Sequence, residues 1–126
     1  MTKAGVEIAT DEGRNLLRIR FHGDITVPGM KAAFDEIKVQ LGHVSPGFTI
    51  LTDLSDLESM ELDCVDSLTR MMECFKSAGI GLVVRVIPDP SKDIGFNILS
   101  RTHYRRGVKV ITCETLAAAE RALPNA

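Results

Sequence analysis

The stretch Phe48-Thr49-Ile50-Leu51-Thr52-Asp53-Leu54-Ser55, followed shortly by Glu61-Leu62-Asp63-Cys64-Val65, decides the fold. From Phe48 to Leu54 it is nearly all apolar or β-branched, which is the pattern of a strand buried on both faces. The period then changes. Val65, Leu68, Met72 and Phe75, with Met71 beside them, recur at helical spacing, so a helix is predicted from about Asp63 to Ala78, closed by Gly79. A doubly buried strand feeding an amphipathic helix is the unit of a parallel α/β sheet.

Upstream, Val6, Ile8 and Thr10 alternate with Glu7 and Ala9, and Leu17, Ile19 and Phe21 alternate with Arg18, Arg20 and His22. With Asp11-Glu12-Gly13-Arg14 between them, these runs predict a β-hairpin with one buried and one solvated face. Thr26 is placed to cap a helix with Pro28 in its first turn. Met30, Phe34, Ile37 and Leu41 form its inner stripe, and Gly42 ends it.

Downstream, Gly81 to Ile87 reads as another buried strand, stopped by Pro88-Asp89-Pro90. A third helix is expected over about Lys92 to Tyr104, buried through Ile94 and Ile98. Val108, Val110 and Ile111 read as a short last strand. Thr115 opens a final helix with inner face Leu116, Ala119 and Leu123, ended by Pro124. The expected order is ββαβαβαβα: a mixed five-stranded sheet with about four helices, α/β in class, as one domain over residues 1–126.

Bulk properties narrow the function classes. The 126 residues are 44% hydrophobic and 25% charged with a net charge of −2, so no global charge draws the chain to nucleic acid or anionic membrane. No apolar run approaches the ~18 residues of a membrane span, and Met1 to Gly5 lacks an apolar signal core, so cytoplasmic residence is the default expectation. Cys64, Cys74 and Cys113 are scattered, as are His22, His43 and His103. Neither set has metal-ligand spacing, and no metal or cofactor is expected.

The order and its landmarks resemble the STAS domain, the SpoIIAA-like fold of anti-sigma-factor antagonists. That family ends its central strand with Asp-Leu-Ser, matched here by Asp53-Leu54-Ser55. Eight residues after the aspartate it carries Asp-Ser-Ser-Gly-Leu, and the same step here lands on Glu61-Leu62-Asp63-Cys64-Val65. Gly79 keeps the register without a gap. The resemblance implies a non-enzymatic regulatory module that docks partner proteins such as an anti-sigma kinase. In the family the second serine of the motif is phosphorylated, which blocks docking. Here that position is Asp63, which cannot accept a phosphate and carries about one negative charge against nearly two for phosphoserine.

Two readings of Asp63 therefore stand: a helix cap, with Asp66 three residues on, or a fixed mimic of the phosphorylated state. Cys64 replaces the motif glycine, and a thiol at a helix N-terminus is reactive unless burial or nearby carboxylates such as Asp63 and Asp66 oppose ionisation. The candidate regulatory residues are thus Asp53, Ser55, Glu61, Asp63 and Cys64. A second likeness is to STAS-like proteins that lack the serine, some resembling lipid carriers, which makes a small-ligand or lipid-binding module the alternative.

Arg85 interrupts a buried strand. It is expected either to pair with Asp53 on the neighbouring strand, where a ligand contact would lie near the strand ends, or to reach solvent at the sheet edge. Arg101, His103, Arg105, Arg106 and Lys109 form a basic cluster that suits a helix C-terminus or an anionic partner surface. Aromatic interleaving for nucleic acid is missing. No triad or paired catalytic carboxylates occur in a motif context, so an enzyme ranks third.

Overall fold

A computed structural model of the protein describes residues 5–88 and 108–124. Within them, β1 is Gly5–Asp11, β2 Leu16–Ile25, α1 Val27–Gln40, β3 Thr49–Met60, α2 Cys64–Ser77, β4 Leu82–Val86, β5 Lys109–Cys113 and α3 Leu116–Ala122. The helix expected over Lys92 to Tyr104 lies outside the described residues, as do Asp89, Pro90 and the basic residues Arg101 to Arg106. Three α-helices are thus described. The five strands form one mixed sheet in the order β1-β2-β3-β4-β5, with β1 antiparallel to β2 and every other pair parallel. The α/β class with an opening hairpin agrees with the sequence reading.

The period-two pattern sorts residues onto two faces. Leu17, Ile19 and Phe21 of β2, with Ile50 of β3 and Val83 of β4, face a core closed by Met30 and Ile37 of α1 and by Leu68, Met72 and Phe75 of α2. Leu16, Leu51, Val84 and Val86 point the other way and pack beneath Ala119 and Leu123. Leu116, expected on that inner face, is 43% exposed instead. It is the first residue of a helix only seven residues long, and the stripe settles through Ala119 and Leu123.

The helix ends follow local chemistry. Thr26 Oγ1 accepts a hydrogen bond from Gly29 N–H at 3.2 Å, and Thr115 Oγ1 from Ala118 N–H at 3.1 Å. At the end of α2, Ile80 N–H donates to Phe75 O and Gly79 N–H to Lys76 O, both at 3.1 Å, with Gly79 at φ 91°. This is a Schellman closure, which favours glycine at the left-handed position.

Two expectations are corrected. The central strand does not stop at Leu54: it continues to Met60, beyond its last pairing with β4 at Asp53↔Val86. Past that point β2 is its only strand partner among the described residues, through two register shifts at each of which β3 carries an extra residue. One shift lies between the Arg20↔Asp53 and His22↔Asp56 pairs, so Leu54 and Leu57, three apart, face the same core. The interrupted alternation hides the strand from a period-two reading.

Nor is the hairpin's polar face simply solvated. Arg18 makes a bidentate contact with Glu120 at 2.5 and 3.2 Å, Arg20 bridges Glu7 at 2.6 Å and also Asp56, and His22 is buried at 7% exposure.

Candidate functional site

The β2–β3 ribbon delivers the starts of α1 and α2 to one place. Glu61 N–H donates to Ile25 O at 2.9 Å, continuing the ladder one step past the strand. Cys64 N–H then donates to Glu61 O at 2.9 Å and Val65 N–H to Leu62 O at 3.1 Å, a tight turn that swings the chain into α2. The Glu61 side chain reaches across to accept from Val27 N–H at 3.3 Å. A carboxylate is thereby set at the positive end of the neighbouring helix.

The turn presents Glu61, Leu62 and Asp63 to solvent. Leu62 is 80% exposed. Asp63 occupies the position before α2, but its side chain makes no capping hydrogen bond. Its backbone is already helical, at φ −66° and ψ −11°, whereas a capping residue needs an extended backbone to swing its oxygen over the first-turn N–H groups. Asp66 is not part of a capping pair either; it meets Arg70 at 3.4 Å, one turn on. The side-chain capping expected of Asp63 is therefore absent.

Cys64 faces inward. It is fully buried, with Sγ 3.9 Å from Ile25 O. Burial pushes its thiol pKa up, and the negative charges of Glu61 and Asp63 push the same way. A protonated, enclosed thiol is a packing group at this position.

Asp53 and Arg85 do not form the expected pair. In the β3–β4 register Thr52 stands opposite Arg85 and Asp53 opposite Val86, so the two charged side chains lie on opposite faces of the sheet. Asp53 is half-buried beside Leu51 on the α3 face, and its Oδ1 accepts from Ser55 N–H at 2.9 Å. Ser55 is exposed. Arg85 is 2% exposed, which also excludes the alternative of a solvent-reaching side chain. It lines a cavity of about 30 Å³ under α2, together with Thr52, Leu68, Met71, Met72 and Phe75.

Of the residues singled out by sequence, Glu61, Asp63 and Cys64 come together at the α2 start, and Asp53, Ser55 and Arg85 lie elsewhere on the sheet. Sequence reasoning passed over Leu62, because an apolar residue at a helix start reads as a core residue. It also passed over Thr52, whose strand partner is fixed only by the register.

Scans against protein-family models and against curated proteins find no match. Solved structures do match along nearly the whole chain. An uncharacterised DUF3478-family protein with a SpoIIAA-like fold from Shewanella loihica superposes with a TM-score of 0.72 at 12% identity, covering 98% of each chain. The phosphorylated Bacillus cell-fate determinant SpoIIAA gives 0.63 at 16% identity, covering 94% of this chain and 99% of its own. An anti-sigma factor antagonist from Mycobacterium paratuberculosis gives 0.62 at 20% identity, covering 98% and 96%. The protein has the SpoIIAA-like fold.

Proposed function

We propose that the protein is a non-enzymatic regulatory module of the anti-sigma antagonist type, docking a partner protein through the start of α2. The observation that carries this reading is the solvent-facing Leu62 between exposed Glu61 and Asp63, an apolar tip with an acidic rim. In this reading Leu62 seats in an apolar pocket of the partner. The shared fold with anti-sigma antagonists supports it. In this reading Asp63 supplies a permanent negative charge where the family switches one on by phosphorylation.

The cavity under α2 gives no support to a lipid carrier. At about 30 Å³ it is far below the roughly 300 Å³ at which ligand pockets begin.

The test is capture of purified anti-sigma kinase-like proteins from the same genome by the wild type and by Asp63→Ser, with ATP present. Asp63→Ser is expected to bind more tightly and to accept phosphate at the new serine. If neither form is captured and the serine stays unmodified, the regulatory reading fails.

A further inference from the structure

Among the described residues the sheet has two edge strands, β1 and β5, and they differ in how they are protected. β5 is five residues long and carries Lys109, a charge that discourages pairing with another chain. β1 reads Gly5-Val6-Glu7-Ile8-Ala9-Thr10-Asp11, seven residues with neither lysine nor proline. Its register with β2 is unbroken from Gly5↔His22 to Asp11↔Leu16, so no bulge turns it aside. On the side away from β2 no strand pairs with it among the described residues. Alternate residues of an edge strand direct their backbone N–H and C=O groups to that open side.

The side chains of β1 say what could pair there. Val6 and Ile8 are half-buried and pack against the core under α1 and α2. Glu7 and Ala9 are exposed on the opposite face, beside Arg20 and Arg18 of β2. A second copy of the chain adds its own β1 antiparallel through a two-fold axis normal to the sheet, which sets one residue opposite itself. An axis at Glu7 would oppose two glutamates, and an axis at Ala9 would oppose Glu7 with Asp11. Like charges directly opposite are unfavourable. An axis at Ile8 pairs the whole strand: Gly5 with Asp11, Val6 with Thr10, Glu7 with Ala9, and Ile8 with itself. No like charges meet. The row then runs Arg18 and Ala9 of one protomer into Glu7 and Arg20 of its partner. Each Glu7 carboxylate is brought toward a second arginine across a small side chain, so the two edges are complementary in charge.

We infer that β1 is a self-association edge: two copies of this chain join β1 to β1, antiparallel about Ile8, into one continuous sheet with β5 at both ends. A closed two-fold pair uses both β1 edges and does not grow into a fibre. The contact is made by β1 and not by the start of α2, so it holds or fails separately from the partner docking proposed above.

The experiment is sedimentation equilibrium of the full chain over a concentration series reaching the millimolar range. Monomer should give way to dimer, with no larger species. Ala9→Glu sets like charges face to face twice in each dimer and should raise the dissociation constant about tenfold. Ala9→Lys sets an opposite charge at the same two places and should lower it several-fold. Ala9 is exposed, so both variants should unfold at the wild-type temperature at low concentration, where the chain is monomeric. The inference is overturned if the wild type stays monomeric throughout, which leaves the edge to a strand from another protein. It is overturned equally if the two Ala9 substitutions fail to shift dimerisation in opposite directions, which places the contact elsewhere on the molecule.

Discussion

The carboxylate of Glu61, at the approach to α2, accepts a hydrogen bond from the backbone N–H of Val27, the first residue of α1, at 3.3 Å. One side chain thus serves a helix that begins 34 residues earlier, and it ties the two helix starts into a single end of the molecule. Glu61→Ala removes both the acceptor and a charge favourable to the α1 dipole. Chemical denaturation should show a loss of about 0.5–1 kcal/mol, and Glu61→Gln, which retains an acceptor, a smaller one.

Leu62→Asp separates docking from folding. Because Leu62 is largely solvent-exposed, the substitution should change stability by less than about 0.5 kcal/mol. Partner binding should fall by tenfold or more if the leucine is the anchor. Thermal unfolding alongside a binding titration checks both, and unchanged affinity would remove Leu62 from the interface.

The Glu120 carboxyl is held below its usual pKa, chiefly by the hydrogen bond from Arg18, with Arg14 adding to the attraction. A folded pKa below the unfolded one means that this stabilisation is present above the unfolded value. It is lost as pH falls through the folded one. Glu120→Gln should therefore destabilise the protein at pH 7 by about 0.5 kcal/mol, the pair being partly solvent-screened, and this difference from wild type should vanish in strong acid. High salt at pH 7 should shrink it as well. Urea midpoints across pH read the effect directly.

Thiol accessibility should divide the three cysteines. Cys74 and Cys113 are half-buried, whereas Cys64 is enclosed with a raised thiol pKa. Alkylation at neutral pH followed by peptide mapping should label Cys64 last, at a rate limited by unfolding. Fast modification of Cys64 in the native protein would contradict its buried placement.

Gly79→Ala tests the closure of α2. The residue holds φ 91°, and an added Cβ would lie 3.0 Å from Pro46 Cβ. Strain at the left-handed position and the contact with Pro46 together should cost about 1–3 kcal/mol. A stability equal to wild type would mean that the turn relaxes to another conformation.

The regular parts of the fold were legible where chemistry repeats at short range. Thr26, Thr115 and Gly79 marked helix ends from local capping rules, and the alternation of Leu17, Ile19 and Phe21 marked a strand. The end of β3 was not legible, because the register shifts opposite β2 put Leu54 and Leu57 on one face and erase the alternation. Pairings across the sheet were legible only as an antiparallel opening hairpin and a parallel remainder, with Arg85 beside the central strand. Placing Arg85 against Asp53 rather than Thr52 is an error of one residue, and in a strand one residue reverses the face. Ion pairs such as Arg18 with Glu120 join residues 102 apart, and composition carries no trace of them.

The tie between Arg18 and Glu120 also sets a schedule for synthesis. Leu16 and Leu51 belong to strands made in the first half of the chain, yet the residues that pack over them, Ala119 of α3 and Leu123 just after it, come near its end. While the chain is still on the ribosome, that side of the nascent sheet lacks, among the described residues, the cover that Ala119 and Leu123 give it. Chains interrupted before residue 119 would lose the packing of Ala119 and Leu123 on Leu16, Leu51, Val84 and Val86. They should be the form that chaperones hold and proteases clear.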